Sequence, residues 1–285
     1  MRQWARVFLI GFTLWLATVI VTGLTGNSNL VPTVVLLGSF LVPVTFVVWA
    51  YGRGRSARVT VELLFMAFVV GGVLGVLGAS LLESWLIRPS IVMYVLVGLI
   101  EEGVKLAALM FVTRRMTLRT ARDGVVLGGT VGFGFSSFES AGYAFNSLFT
   151  TEGLSLPELV ETEVLRGVLA PVGHGLWTAI LGGVLFAAGG RITFPVVLSF
   201  LGVSLLHALW DSMTAIAIAV TLVLFGQRWQ FQLLRIGRVP NVTDWQVHVY
   251  TLLHWAGLIV ISLVGVLWLT TVLGRGRRDR EIRHQ

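Results

Sequence analysis

The chain has 285 residues, of which 55% are hydrophobic and 12% are charged, and its formal net charge is +7. Soluble domains carry about 25% charged residues, and the apolar residues here lie in long continuous runs, so a water-soluble globular domain, a disordered chain and a coiled coil are excluded. We therefore predict an all-α, polytopic bundle of transmembrane helices.

Eight apolar stretches are long enough to cross a bilayer, which requires about 20 residues. In chain order they cover residues 7–24, 30–50, 60–82, 90–113, 123–148, 163–188, 193–225 and 249–273. The first is longer than the apolar region of a cleaved signal peptide, so we expect an uncleaved span. The length of the stretch 193–225 also allows a break near Asp211.

Arginines lie at the ends of these stretches, and positive charge favours the cytoplasmic side. With eight spans and both termini in the cytoplasm, the extracytoplasmic side carries only Arg88, Arg166, Arg228, Arg235 and Arg238. This placement favours anionic lipid as the partner of the basic cytoplasmic ends and argues against nucleic acid. The absence of cysteine excludes disulfides, a thiol nucleophile and Cys-ligated metal.

Ionisable side chains in the middle of a span cost about 2.5–3.5 kcal/mol on insertion, so their presence predicts a functional site. Such residues in this chain are Glu101, Glu102, Lys105, Glu139, His174, His207 and Asp211. Residues four apart share a helix face, which joins Glu101 to Lys105 and His207 to Asp211. Counting about 1.5 Å per residue from the span ends places these groups at similar depth, so we expect one site built by four helices.

Three motifs follow one another on neighbouring spans. They are EExxK at Glu101–Lys105, FxxxE at Phe135–Glu139 and HxxxD at His207–Asp211. Their order resembles the PrsW family of intramembrane proteases and, more distantly, the CAAX prenyl endopeptidases. Asp123, Arg166 and His174 extend the resemblance, which covers about residues 98–215 and leaves out the first three spans and the eighth. Ser140 departs from the pattern, since Asn is expected after the glutamate.

The resemblance implies an intramembrane endopeptidase that cleaves membrane-anchored proteins near the extracytoplasmic side, with anti-sigma-factor-like proteins as a substrate class. It implies catalytic roles for Glu101, Glu102, Glu139, His174, His207 and Asp211, supported by Lys105, Phe135, Asp123 and Arg166. One membrane domain, 1–285, is expected. It would comprise peripheral spans (1–89), catalytic core spans (90–225), an outer interfacial loop (226–248), and the last span with a basic cytoplasmic tail (249–285).

Two mechanisms fit these residues, because peptide hydrolysis needs an activated water, an oxyanion stabiliser and a proton donor. In the first, without a cofactor, Glu101 or Glu102 activates water and the two histidines stabilise the oxyanion. In the second, the histidines and a carboxylate bind zinc and leave a position open for water. The metal candidates are His174 and His207 with Glu139, or with Glu102 or Asp211 in its place.

Two other classes of function use similar residues. A proton-coupled transporter also needs a Glu/His/Lys relay inside the membrane, and a non-catalytic scaffold would need no site at all. The HExxH zinc motif and the GxSxG serine motif are both absent from the sequence, which excludes those two hydrolase types. The arginine bias and the lack of cysteine lead us to expect a prokaryotic plasma membrane.

Overall fold

The computed structural model describes residues 2–53, 56–88, 90 and 92–283, with side chains described up to residue 275. This part of the chain is almost entirely helical, which confirms the predicted all-α class. Arg55 and the tail arginines from Arg277 onward, which we expect on the cytoplasmic side, lie outside the described side chains.

The described residues form eleven α-helices. They are α1 (Gln3–Thr25), α2 (Val31–Arg53), α3 (Val61–Val69), α4 (Gly75–Leu86), α5 (Met93–Val112), α6 (Ala121–Ser147), α7 (Leu156–Leu169), α8 (His174–Ala187), α9 (Phe194–Phe225), α10 (Arg228–Arg235) and α11 (Asp244–Arg283). A short antiparallel hairpin, β1 (Phe149–Thr150) with β2 (Gly153–Leu154), joins α6 to α7.

Among the described residues, six helical stretches are long and apolar enough to cross a membrane. They are Gln3–Thr25, Ser28–Arg53, Val61–Leu86, Leu156–Ala187, Phe194–Phe225 and Asp244–Arg275. Helices α5 and α6 coincide with the two other predicted spans but fall outside this set. The reason is their composition: α5 carries Glu101, Glu102 and Lys105, and α6 is rich in glycine and serine.

The stretch predicted as a single span over 163–188 is longer and is interrupted. A 3-10 turn, Ala170–Val172, and the non-helical Gly173 separate α7 from α8. Pro171 contributes to the interruption because it has no backbone N–H to continue the helix. The interruption makes His174 the first residue of α8. By contrast, α9 is continuous through Asp211, and its Pro195 lies in the first turn, where proline is tolerated.

The third predicted span is also irregular. Helices α3 and α4 are joined by a π-helical turn, Val70–Leu74, which contains Gly71 and Gly72. Both glycines lie against the backbone of α6, and a Cβ at Gly71 would overlap the backbone of Val131. The close contact of this turn with α6 brings α4 beside the residues that form the site.

Helix α6 lies at the centre of the bundle and packs on α2, α3, α5, α7 and α8. Gly124, Gly128 and Gly132 recur every fourth residue and face α8, where a Cβ would overlap the carbonyl oxygens of Gly182, Thr178 and His174, respectively. Small residues allow such close helix contacts in membranes. The spacing of α6 and α8 thus depends on these glycines and determines where His174 lies.

Candidate functional site

Helix α5 contributes a buried cluster of one cation and two carboxylates. Lys105 Nζ lies 3.1 Å from Glu101 Oε2 and 2.9 Å from Glu102 Oε1. The contacts follow from the i,i+4 and i,i+3 spacing on one helix face. Lys105 and Glu102 are fully buried, whereas Glu101 is 6% exposed and borders a cavity. The two glutamates therefore have different surroundings although they are adjacent in sequence.

His174 connects this cluster to α6. Its Nδ1 lies 2.8 Å from Lys105 Nζ, and its Nε2 lies 3.0 Å from Glu139 Oε2. An ammonium has only protons to donate, so Nδ1 is the acceptor and Nε2 carries the proton that is donated to Glu139. This pattern assigns the tautomer of His174 from its partners.

His207, on α9, is surrounded by carboxylates. Its Nδ1 lies 3.1 Å from Glu102 Oε1, and its Nε2 lies 3.3 Å from Asp211 Oδ2 and 3.6 Å from Glu101 Oε2. The second oxygen of Glu102 accepts a 3.3 Å hydrogen bond from Thr178 Oγ1. Glu102 is thus enclosed by polar partners and holds the imidazole of His207 in place.

Arg166, on α7, holds the other carboxylate. Its Nη2 lies 2.6 Å from Glu139 Oε2, its Nε donates to Ser140 Oγ at 2.8 Å, and its guanidinium lies over the ring of Tyr143. Ser140, where asparagine is expected, therefore serves as an acceptor for Arg166. A chain of contacts runs from Arg166 through Glu139 to His174.

Aromatic side chains pack around these polar groups. The Lys105 ammonium lies 4.0 Å from the ring centroid of Phe135, and His174 and His207 lie edge to face with centroids 4.9 Å apart. Trp177 stacks on His207 at 4.8 Å and meets Trp210 edge to face. The two His-x-Leu-Trp stretches, 174–177 and 207–210, therefore pack against each other. Packing of this kind holds the imidazoles in place.

A cavity of about 550 Å³ opens beside these groups. Glu101, Glu139, His174 and Asp211 contribute to its wall, and so does Glu83 from α4, a helix within the N-terminal part predicted to be peripheral. The cavity is therefore bordered by several of the side chains that form the polar network.

Nine of the ten predicted site residues come together here, and Asp123 does not. It lies in the first turn of α6, where it accepts from Thr120 Oγ1 at 2.8 Å and lies 3.5 Å from Arg58 Nε. Glu139 is 16 residues further along the same helix, a separation of about 24 Å at 1.5 Å per residue. Asp123 therefore contacts Thr120, the N-cap residue of α6, instead of the other predicted site residues.

One group of side chains in the described residues can hold a metal ion. The potential ligand atoms of Glu101, His174 and His207 lie within 4.8 Å of one another. Two histidines and one glutamate are a known ligand set of catalytic zinc, which leaves a fourth position open. The carboxylate in this group is Glu101, and not Glu139, Glu102 or Asp211 as the sequence suggested.

The carboxylates outside this group fit a supporting role. Glu139 accepts from His174 Nε2, and Glu102 lies at hydrogen-bond distance from His207 Nδ1, so the nitrogens left for a metal are Nδ1 of His174 and Nε2 of His207. In the structure Nδ1 of His174 accepts from Lys105 Nζ at 2.8 Å, and a bound zinc ion would take the place of that hydrogen bond. Carboxylate–histidine pairs of this kind orient the histidines of metal sites. The donor set and its supporting contacts therefore fit a zinc ion.

Sequence reasoning missed Glu83, Trp177 and Thr178. Glu83 lies just beyond the predicted end of the third span. An acidic residue at that place is interpreted from sequence as lying at the membrane–water interface. Trp177 and Thr178 follow His174 by three and four residues, which places them on its face of α8. This spacing from His174 was the sequence signal that could have identified Trp177 and Thr178.

Comparison with known proteins gives one family. The model of the PrsW family intramembrane metalloprotease matches residues 5–235. No curated protein and no solved structure matches the chain. The matched region includes the first three predicted spans, so the expectation that they lie outside the shared core is wrong. The chain is a multi-pass integral membrane protein and belongs to the PrsW family of intramembrane proteases.

Proposed function

We propose that this protein cleaves membrane-anchored proteins at the cavity bordered by Glu101 and His174, and that these two side chains together with the buried His207 hold a catalytic zinc ion. The observation that carries the proposal is the convergence of the three residues' ligand atoms within 4.8 Å, with Glu101 and His174 on the wall of a cavity of about 550 Å³. The supporting contacts of Glu102 and Glu139 agree with it.

Zinc bound there supplies a Lewis acid that activates water and polarises the scissile carbonyl. The chain's own residues hold the site in the required geometry. Glu102 orients His207, Glu139 orients His174, and Arg166 holds Glu139. Lys105 offsets the negative charge of the paired glutamates, which would otherwise repel each other at close range.

Asp211 is the group we assign to proton transfer. It borders the cavity, its side chain is 30% exposed, and it lies 3.3 Å from His207 Nε2. The water oxygen attacks the carbonyl carbon while the Asp211 carboxylate takes the water proton. The carbon–nitrogen bond then breaks, and the same proton passes to the leaving amine.

We also propose that α5 and α6 cross the membrane with the six apolar stretches, which gives eight spans and cytoplasmic termini. Glu83 and Tyr94 flank the α4–α5 connection, and Tyr143 lies near the end of α6, so this end of the cavity faces the extracytoplasmic side under the positive-inside rule. Cleavage near that side follows, with anti-sigma-factor-like proteins as a substrate class. Anionic lipid at the cytoplasmic arginines and a prokaryotic plasma membrane complete the proposal.

The test is cleavage of a library of tagged single-span substrates by the purified protein in liposomes. Wild type is compared with Glu101→Gln, His174→Ala and His207→Ala, and with Glu62→Gln and His254→Ala as matched controls outside the site. We expect cleavage by wild type and both controls only, at a bond near the extracytoplasmic boundary. Equal behaviour of wild type and Glu101→Gln would contradict the proposal.

Metal dependence needs its own measurement. Exhaustive chelation should abolish cleavage, added zinc should restore it, and metal analysis should find about one zinc per protein in wild type and much less in His207→Ala. Full activity of a metal-free sample would remove the zinc from the proposal and leave Glu101 as the base that activates water.

A further inference from the structure

Several acidic residues line the cavity, and one of them, Glu83, differs from the others in its contacts. Among its lining residues are four carboxylates, from Glu83, Glu101, Glu139 and Asp211, and a single arginine, Arg166. Glu101 contacts Lys105, Glu139 contacts Arg166, and Asp211 contacts His207. Each of these three therefore has a basic partner within the protein.

Glu83 has no such partner in the part of the chain that the structure describes. No described residue forms an ion pair with it, and its Oε1 is buried without a hydrogen bond. A carboxylate in a membrane cavity is costly unless it is paired. Because Glu83 has no basic partner among the described residues, its position points to a basic group that the substrate supplies.

Building on the proposed function, we infer that Glu83 is a specificity-determining residue that binds a lysine or arginine side chain of the substrate close to the scissile bond. A basic side chain supplies donors and a positive charge, both of which the acid-rich wall needs. The aromatic side chains of Tyr94, Tyr143 and Trp210 on the same wall can pack along the aliphatic stem and attract the cation.

The position of Glu83 agrees with this role. It lies one turn before the end of α4, whereas the proposed ligands lie on α5, α8 and α9. The cavity is lined by two of these ligands, Glu101 and His174, and by Glu83. A substrate segment bound across the cavity can therefore place its reacting carbonyl at the proposed ligands and a neighbouring side chain at Glu83.

The experiment uses single-span substrates that differ at one residue. Lysine, methionine or glutamate is placed in turn at each of the four positions on either side of the cleaved bond. Wild type should cleave the lysine substrate about tenfold faster than the methionine substrate at one of these positions, the size expected of one charge-assisted hydrogen bond. Glutamate at that position should be the poorest of the three.

Substitution of Glu83 should change this preference. In Glu83→Gln the lysine-to-methionine ratio should fall to about one, and in Glu83→Lys the glutamate substrate should become the preferred one. Glu62→Gln, an acid at the opposite end of the α3–α4 segment, should keep the wild-type ratio. If the Glu83 variants are inactive, photo-crosslinking in a Glu101→Gln background should show weaker capture of the lysine substrate when Glu83→Gln is added.

Two results would overturn the inference: a wild type without any preference for lysine, or a preference that persists in Glu83→Gln. Its failure differs from failure of the proposed function. Cleavage of the methionine substrate that depends on Glu101 supports the protease site whatever the ratio is, whereas the ratio alone tests Glu83.

Discussion

Lys105 and His174 are in direct contact, with the ammonium nitrogen 2.8 Å from Nδ1 of the imidazole. The same ammonium binds Glu101 and Glu102, so each of its three protons has an acceptor. One side chain therefore connects the acidic motif of α5 to the histidine of α8, although the two lie 69 residues apart in sequence. The contact also fixes the direction in which His174 presents its lone pair.

Replacement of this lysine should disable the site. Lys105→Met keeps the length of the side chain but leaves two neighbouring carboxylates without their cation, and loss of one partner of a buried ion pair costs about 3–5 kcal/mol. We expect cleavage to fall at least 100-fold and the midpoint of thermal unfolding to fall as well. Lys105→Arg should not restore activity, because a planar guanidinium cannot occupy the same position. Activity above half of wild type in Lys105→Met would contradict this role.

The carboxylate that orients His174 should affect the rate more than substrate binding. Partners of this kind are typically worth about 10–100-fold in activity or metal affinity. For Glu139→Gln and for Arg166→Met we therefore expect a lower kcat with a smaller change in KM, together with faster loss of zinc to a chelator. Asp123→Asn, on the same helix but outside the site, is the comparison. Equal loss of zinc in all three variants would argue for a general effect on folding.

Two adjacent glycines on α6 should respond differently to the same substitution. A Cβ at Gly128 would overlap the carbonyl oxygen of Thr178, whereas at Gly129 the nearest atom, Ala179 Cβ, would lie 3.5 Å away. Gly128→Ala should separate α6 from α8, lower the unfolding midpoint and reduce cleavage, because His174 moves with α8. Gly129→Ala should keep wild-type activity and gain slightly in stability from helix propensity. Similar results for the two variants would exclude close packing as the function of these glycines.

The attachment of α1 depends on a buried polar pair. Trp15 Nε1 donates a 2.8 Å hydrogen bond to Glu163 Oε2, and both side chains are buried. Trp15→Phe leaves the carboxylate without its donor, which costs about 1–3 kcal/mol. Trp15→Phe combined with Glu163→Leu should recover part of that loss, because both polar partners are then removed together. The thermal unfolding midpoints of the single and double variants measure the difference, and an additive loss in the double variant would contradict the pairing.

Much of the site could be predicted because the spacing of residues in a helical sequence determines which side chains lie on the same helix face. The contacts of Glu101 with Lys105 and of His207 with Asp211 are i,i+4 contacts within one helix, and they need no knowledge of the neighbouring helices. The all-α class followed in the same way from the long apolar runs.

Features that depend on how one helix is rotated against another could not be predicted. Sequence alone does not tell which of Glu101 and Glu102 faces the cavity, because the answer depends on the positions of Thr178 and His207. The interruption before His174 was missed because apolar residues continue through Ala170–Val172. Glu83 was missed because its importance comes from a cavity that other helices complete.

The three charged residues of α5 and the glycine- and serine-rich composition of α6 have a consequence for biogenesis. Neither is among the helices whose composition alone favours a position in lipid, and the polar groups of α5 find partners on α8 and α9, which the ribosome makes later. Lys105 pairs with Glu101 and Glu102 within α5, but the two helices enter the membrane before the remaining polar contacts with the later helices can form. A nascent chain that stops short of His207 lacks both one residue of the proposed site and the contacts between α5 and α9. Newly made protein should thus have no protease activity until α9 has been inserted into the membrane.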